Sequence, residues 1–317
     1  MMTDIWQQPK TIAITGGLGN LGQKLFHHLA TLGTYTRFVS LDVRSAEANQ
    51  LDSIRQVALA HHPDLAPPIV EHVQSDLADW HDDTWRKVIN EVEAVVHFAA
   101  QNPYPEATWT EVTASLDMSL NVMQAAADSP TLKRFVFSTS NHVMGRYKDS
   151  PLAEQIGPGE LRPDLEVGVG TVWHTGQEDM DSTPYAVAKF AGERMCHLLG
   201  LQTAGKTRFV CIRVGWCQPG ENKPATLSAT GSPTLQGGTG PGLDAETQAR
   251  AERWFKGMWL SNRDFVQLFQ RALETDGASW PGGCITVNGM SNNTGMKWSL
   301  DETRQLLGYD PQDDVYS

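Results

Sequence analysis

The chain has 317 residues, of which 40% are hydrophobic, and it carries a formal net charge of −12. This length predicts one α/β domain with a small appendage rather than two large domains. The negative charge disfavours nucleic acids and anionic membranes as partners, because both repel an acidic protein. The first residues lack a basic start followed by an apolar core, and no run approaches the roughly 18 apolar residues of a membrane span. We therefore expect a cytoplasmic protein.

The residue pattern gives little support for a metal site or for disulfide bonds. The four cysteines, Cys196, Cys211, Cys217 and Cys284, form no C-x-x-C pair. Free thiols in a reducing compartment explain them better than a disulfide framework or a zinc site. No second histidine or carboxylate stands at metal-ligand spacing beside His142, so we expect no bound metal.

Short apolar runs typical of strands alternate with helical patterns along the chain. In chain order, strands are predicted at residues 10–15, 37–43, 69–74, 94–100, 134–138, 208–214 and 285–288, and helices at 21–32, 108–127 and 184–199. Continuous apolar strands suit a parallel sheet that is buried on both faces, and strand–helix alternation indicates βαβ units. We therefore predict an α/β fold with a Rossmann-type, doubly wound parallel sheet.

Three stretches, residues 60–68, 151–183 and 219–242, are predicted to be irregular. The last two follow the fifth and sixth strands, on the side where open α/β sheets bind ligands. We expect residues 1–215 to form the nucleotide-binding domain with the catalytic residues. Residues 216–317, with the long Gly/Pro-rich loop, are expected to form a smaller substrate-covering region of the same compact unit.

A glycine-rich turn connects the first strand to the first helix in TIAITGGLGNLG. Gly16 permits a tight turn, Gly19 lets the backbone approach a pyrophosphate, and Gly22 lets helix and strand pack closely. The helix begins near Asn20 and Leu21, where N–H groups and the positive end of the helix dipole favour phosphates. An ordinary βα turn is the alternative, but the acidic residue that ends the second strand favours a dinucleotide site.

That acidic residue, Asp42, predicts NAD rather than NADP as the cofactor. A carboxylate accepts hydrogen bonds from both ribose hydroxyls of NAD and repels the 2′-phosphate of NADP. Arg44 stands two residues further on and is able to swing toward a phosphate, which keeps NADP as an alternative. Asp76, after the third strand, is placed either to accept from the adenine amino group or to cap a helix.

Tyr185 and Lys189 lie one turn apart on the same face of a predicted helix. An ammonium beside the phenol, together with oxidised nicotinamide, favours the phenolate, whereas an unperturbed tyrosine titrates near pH ~10. Lys189 is also placed to hold the nicotinamide ribose. The fifth strand runs into a polar segment in which Ser140 is placed to hydrogen-bond the reacting oxygen. A polar loop that caps the next segment is the alternative for Ser140.

Six motifs, TGGLGNLG, the acidic end of the second strand, SDL, HFAA, FSTS and YAVAK, occur in an order that resembles the extended short-chain dehydrogenase/reductase superfamily, which includes the NAD-dependent epimerases and dehydratases. The resemblance implies that Tyr185 is the acid/base, Lys189 its activator and ribose contact, and Ser140 the oxygen-positioning hydroxyl. It also implies homo-oligomers, because helices equivalent to 108–127 and 184–199 commonly pair there. Further cofactor contacts are implied at Asp76, Leu77 and Ala99.

The segments SNH, RVGWCQP and WLSNRDF are similar to those of the uronate dehydrogenases. These enzymes use NAD to oxidise C1 of a hexuronic acid to an aldarolactone. The resemblance implies sugar contacts from Ser140, Asn141 and His142, and from Asn102 after the fourth strand. Where that family has a serine after the sixth strand, this chain has Trp216.

The uronate dehydrogenases also have an arginine for the substrate's carboxylate, and Arg250 and Arg253 are the candidates for its role beyond the long 219–250 insertion. The leading hypothesis is therefore an NAD-dependent dehydrogenase that oxidises C1 of an acidic hexose, uronate-like or sulfonated, to a lactone. The alternatives are a sugar-nucleotide epimerase or dehydratase and a non-catalytic NAD-binding regulator. Three roles remain open for His142: a substrate contact, a loop histidine whose hydrogen bonds are made within the protein, and a metal ligand.

Overall fold

The computed structural model describes residues 6–100, 108–174, 179–227 and 245–317. Its strands are β1 (Thr11–Thr15), β2 (Arg37–Asp42), β3 (Ile69–Gln74), β4 (Ala94–His97), β5 (Arg134–Ser140), β6 (Val172–His174), β7 (Asp179–Asp181), β8 (Arg208–Val214) and β9 (Cys284–Gly289). Its helices are α1 (Asn20–Ala30), α2 (Ala48–His61), α3 (Asp83–Glu91), α4 (Trp109–Asp128), α5 (Thr183–Gln202), α6 (Ala245–Gly257), α7 (Asn262–Glu274) and α8 (Asp301–Leu307).

Seven strands form one sheet in the order β3-β2-β1-β4-β5-β8-β9. Every neighbouring pair in this sheet is parallel. The predicted Rossmann-type sheet is therefore confirmed. The strand order reverses between β1 and β4, and open α/β sheets bind ligands at the carboxyl ends of the strands beside such a reversal.

Alternate residues of each strand enter two apolar layers, one on either face of the sheet. Ile12 and Ile14 of β1 pack into the layer that contains Phe26 of α1. Ala13, between them, packs into the opposite layer with Trp85 of α3. Because both faces are covered, the strands carry nearly continuous apolar sequence, which is why they were predictable.

The structure corrects the predicted elements at several places. Strand β5 continues to Ser140 rather than ending at residue 138, because Thr139 and Ser140 still pair with β8 and are buried. Within residues 151–183, predicted to be irregular, β6 and β7 form an antiparallel hairpin. Helix α2 continues into the predicted 60–68 loop as far as His61. Of the 219–242 loop, residues 228–242 lie outside the described part.

No helix in the described ranges combines the length and apolar character that crossing a membrane requires.

Candidate active site

One cavity of about 1000 Å³ opens at the carboxyl ends of the central strands. Most of the residues predicted from the sequence to bind cofactor or substrate line it. These are Gly16, Gly19, Asn20, Leu21, Gly22, Asp42, Asp76, Leu77, Ala99, Ser140, Asn141, His142 and Tyr185. The cavity therefore brings together a predicted cofactor site and predicted catalytic side chains that are far apart in sequence.

The turn between β1 and α1 requires glycine for two separate reasons. Gly16 has φ +65°, and a Cβ there would lie 3.0 Å from the backbone nitrogen of Ala99 on the neighbouring strand end. A Cβ on Gly22 would lie 2.7 Å from the Cα of Gly17, so the helix packs directly on the turn. Gly19 is the N-cap of α1 and supplies no capping side chain. The first turn of α1 thus presents N–H donors to the cavity, a geometry that fits the pyrophosphate of a dinucleotide.

Asp42 ends β2 at the cavity edge, and four donor groups surround its carboxylate. The backbone nitrogens of Leu18 and Arg44 donate to it at 3.2 and 3.1 Å. The Arg44 guanidinium donates twice, at 2.9 and 2.8 Å. Burial alone would raise the pKa of Asp42, but the bonds from Arg44 and Leu18 hold it below its usual value. The carboxylate is therefore ionised and ready to accept from ribose hydroxyls once the exposed Arg44 side chain moves aside.

We expect opposite effects on cofactor preference from Asp42→Ala and Arg44→Ala. Asp42→Ala should narrow the preference for NAD over NADP by about tenfold or more, since charge-assisted hydrogen bonds to ribose are lost. Arg44→Ala should leave kcat/KM for NAD within about threefold, because partly exposed ion pairs contribute little. The same variant should lower kcat/KM for NADP further, since it removes the cation near the 2′-phosphate. Steady-state kinetics with both cofactors measures this, and loss of NAD use in Arg44→Ala would contradict it.

Asp76 follows β3 at the adenine end of the predicted site. Its Oδ1 accepts from the backbone nitrogen of Ala78 at 2.9 Å and so closes a turn. The N-cap of α3 is Asp82, not Asp76. The helix-capping alternative is therefore wrong, and the exposed Asp76 carboxylate lines the cavity, where an adenine amino group can reach it.

Tyr185, Lys189 and Ser140 meet where α5 crosses the end of β5. Tyr185 and Ser140 both line the cavity, and the Ser140 hydroxyl lowers the pKa of the Tyr185 phenol. The Lys189 Nζ lies behind them, 5.6 Å from the centre of the Tyr185 ring, and donates to the Ser138 carbonyl at 2.8 Å. Ser140 Oγ also accepts from the backbone nitrogen of His142 at 3.1 Å. Tyr185 and Ser140 thus belong to one cavity, with Lys189 behind the tyrosine ring.

Burial shifts the pKa values of Tyr185 and Lys189 in opposite directions. It raises the pKa of the Tyr185 phenol to about 12, although the bond with Ser140 pulls the value down. It lowers the pKa of the Lys189 ammonium to about 7. Burial disfavours the charged form of each group. A positive charge next to the phenol has the opposite effect on Tyr185, because it stabilises the phenolate. In the protein alone, at neutral pH, Tyr185 is therefore a proton donor.

Asn141 and His142 extend this wall from the end of β5. The amide nitrogen of Asn141 donates to the Val214 carbonyl at 3.0 Å, and its Oδ1 has no partner in the described residues. The Nδ1 of His142 contacts the hydroxyls of Thr171 at 2.7 Å and Ser182 at 3.0 Å. Burial lowers the pKa of His142 to about 4, so its ring is neutral at physiological pH. No group of metal-ligating side chains occurs in the described ranges.

A buried ion pair behind the catalytic helix escaped prediction from sequence. Glu193 lies one turn beyond Lys189 and binds the Arg213 guanidinium of β8 through two bonds, at 2.9 and 2.8 Å. The Thr139 hydroxyl of β5 donates to the same carboxylate at 2.8 Å. Glu193 therefore joins α5 both to β8, through Arg213, and to β5, through Thr139 of the strand that carries Ser140. Its only signal in the sequence is a charged residue on the helix face that Tyr185 and Lys189 share.

Two of the predicted substrate residues do not line the cavity. Arg250 is half-buried and Arg253 is exposed on α6, and neither lines the cavity. From this helix Phe255 lines it instead. Asn102 lies outside the described residues.

Comparisons with known proteins agree with this fold. Residues 12–166 match the model of the NAD dependent epimerase/dehydratase family. The predicted family resemblance is confirmed. The chain is 27% identical to an L-arabinose 1-dehydrogenase (NAD(P)(+)) of Haloferax volcanii, over 95% of this chain and 96% of that protein. It is 26% identical to a uronate dehydrogenase of Pseudomonas putida, over 95% of this chain and 84% of that protein.

Among solved structures, a UDP-galactose 4-epimerase aligns with a TM-score of 0.61 at 16% identity, covering 96% of this chain and 94% of the epimerase. At this identity the likeness shows the shared fold alone. Together, the family match and the relatives confirm the predicted enzyme class, an oxidoreductase acting on a CH–OH group, with NAD as cofactor.

Proposed function

We propose that this chain is an NAD-dependent sugar dehydrogenase that oxidises C1 of a sugar ring to a lactone. The observation that carries the proposal is the meeting of Tyr185 and Ser140 in the cavity that also contains the glycine turn. A phenol and a hydroxyl at one point suit the removal of a proton from an alcohol. The ring-form C1 hydroxyl is the alcohol whose oxidation yields a lactone. The two relatives, a 1-dehydrogenase and a uronate dehydrogenase, support this choice.

In this proposal the chain's own residues bind the cofactor and move the proton. The N-terminal turn of α1 would hold the pyrophosphate. Asp42 would bind the adenine ribose, and Lys189 would bind the nicotinamide ribose. Bound NAD supplies the acceptor for the hydride that leaves C1. Ser140 hydrogen-bonds the C1 oxygen, and the Tyr185 phenolate takes the proton from that oxygen as the C=O bond forms. The resulting lactone opens in water.

The sequence also predicted a narrower substrate class, an acidic hexose that carries a carboxylate or sulfonate at C6. Ser140, Asn141 and His142 remain the predicted contacts to its ring. An anion needs a cation or several N–H donors, and Arg250 and Arg253 were the candidates. Since neither lines the cavity as described, this narrower class stays a prediction.

A substrate panel tests the proposal. We expect NADH to form with at least one free aldose or uronate, and a lactone or aldonic acid to accumulate. UDP-sugars give no net NADH in an epimerase reaction, so NADH formation also separates the two enzyme classes. If no sugar in the panel yields NADH while NAD binds in calorimetry, the dehydrogenase proposal is wrong. The homo-oligomer prediction is tested separately by analytical ultracentrifugation.

A further inference from the structure

A continuous group of aromatic side chains extends from His142, whose ring meets that of Tyr185 edge-on with centroids 6.0 Å apart. The His142 ring stacks on Trp173, with centroids 6.1 Å apart and an interplanar angle of 23°. Trp173 meets Phe255 edge-on at 6.3 Å, and Phe255 meets Trp216 at 6.0 Å. Trp173, Phe255 and Trp216, which we call the aromatic wall, all line the cavity that contains Tyr185.

The backbone fixes Trp216, the residue by which this chain departs from the uronate dehydrogenases. Its backbone nitrogen donates to the Met258 carbonyl, and its carbonyl accepts from Leu260 at 2.9 Å. A Cβ on the preceding Gly215 would lie 2.2 Å from the Met258 carbonyl oxygen, so only glycine permits this close approach. The turn after β8 is thus tied to the end of α6, which carries Phe255. The backbone that carries the indole is therefore fixed before a substrate arrives.

The charged groups of the cavity lie at its other end. In the described part of the chain, Arg44 is the only cation among the lining residues, and it is paired with Asp42. Asp42 and Asp76 are the lining carboxylates. Near Tyr185 the described lining residues are aromatic or neutral hydrogen-bonding groups, and the Lys189 amino group lies behind the tyrosine ring rather than in the lining. An anion moved from water to such a surface loses hydration without gaining an ion pair.

We propose that the aromatic wall stacks against the C–H face of an uncharged pyranose and makes neutral aldoses the preferred substrates over hexuronates. The inference rests on the proposed C1 dehydrogenase and names its substrate class. Sugar rings have a face of C–H groups, and rigid aromatic side chains bury such a face while hydroxyls at the ring edge bind polar groups. Asn141 and His142 lie beside the wall to receive those hydroxyls.

Matched substrate pairs provide the first test. Glucose and glucuronate, and galactose and galacturonate, differ only at C6. In whichever pair gives the higher activity, we expect kcat/KM for the neutral sugar to exceed that for the uronate by at least about tenfold, the factor that 1.4 kcal/mol represents. Higher kcat/KM for the uronate would overturn the inference and leave the dehydrogenase proposal intact. Absence of NADH with all four sugars and with arabinose would instead count against the proposed function.

Variants of Trp216 provide the second test. Trp216→Leu should reduce kcat/KM for the preferred sugar by about tenfold, mainly through a higher KM, because the stacking surface is lost. Trp216→Phe should recover most of that loss. Trp109→Leu, which removes an exposed tryptophan outside the cavity, is the matched control and should change kcat/KM by less than about twofold.

Two readouts separate recognition from folding. The affinity for NAD and the melting temperature should be nearly unchanged in Trp216→Leu, since Trp216 lies outside the glycine turn and leucine keeps an apolar side chain against the edge of the core. Unchanged sugar KM in this variant would overturn the inference. The inference would also be overturned if weaker NAD binding accounted for the whole fall in kcat/KM, since Trp216 would then act on the cofactor.

Discussion

Tyr185→Phe is expected to lower kcat for sugar oxidation by about 10²–10⁴, the usual contribution of a general base. Tyr185 lines the cavity, and its phenol is a titratable group whose pKa the Ser140 hydroxyl lowers. Its pKa of about 12 in the protein alone means that bound cofactor and Lys189 must favour the phenolate during turnover. We also expect kcat to rise with pH, because a larger fraction of the phenol is then ionised.

NAD affinity should survive in Tyr185→Phe, since only the hydroxyl is removed. Calorimetric titration with NAD and initial rates of NADH formation give the two values. Tyr147→Phe is the matched control, because the Tyr147 hydroxyl donates to the Glu166 carbonyl and does not line the cavity. Near-normal kcat in Tyr185→Phe would reject the assignment of this residue as the base.

Lys189→Met is expected to lower kcat by about 10²–10⁴ as well, because the phenolate loses its neighbouring cation. KM for NAD should rise in the same variant, since Lys189 is proposed to hold the nicotinamide ribose. Lys206→Met is the matched control. The Lys206 ammonium also donates to a backbone carbonyl, that of Ser129, but it precedes the start of β8, whose opposite end lines the cavity at Val214. A kcat that stays within threefold of wild type would remove Lys189 from the mechanism.

The same substitution should change how stability depends on pH. The pKa of Lys189 is lowered from 10.5 to about 7 in the folded protein. Between these values the unfolded chain binds the extra proton, so the free energy of unfolding rises with pH, by at most about 1.4 kcal/mol per pH unit. Urea unfolding of the cofactor-free protein between pH 7 and 9.5 should show this rise in wild type and a smaller one in Lys189→Met. Identical slopes would mean that the lysine is not held in an environment that disfavours its charge.

The predicted site residues that the structure brings together depend on local spacing. The glycine turn is set by residues within one βα unit, and Tyr185 and Lys189 share a helix face because they are four residues apart. Asp42 was predictable because it ends an apolar strand. Buried parallel strands such as β8 were predicted at their correct bounds, since continuous apolar sequence marks a strand covered on both faces.

The parts that were not predicted depend on contacts between distant segments. Glu193 and Arg213 lie on a helix and a strand that only the fold brings together. The aromatic wall combines Trp173, Trp216 and Phe255 from three separate elements. Helical spacing gives no indication of which side of α6 faces the cavity. Its arginines were therefore predicted to bind the substrate's anion on the basis of their charge alone. In the structure an aromatic residue of that helix lines the cavity instead.

Isotope transfer from C1 tests the central proposal most directly. The protein is incubated with NAD and a preferred sugar that carries deuterium at C1, and both products are examined by mass spectrometry. If C1 is the site of oxidation, the deuterium appears in the reduced cofactor, the sugar product is an unlabelled lactone or its acid, and the rate of the chemical step falls relative to the protonated sugar. Reduced cofactor without deuterium, with the label retained in the sugar product, would contradict oxidation at C1.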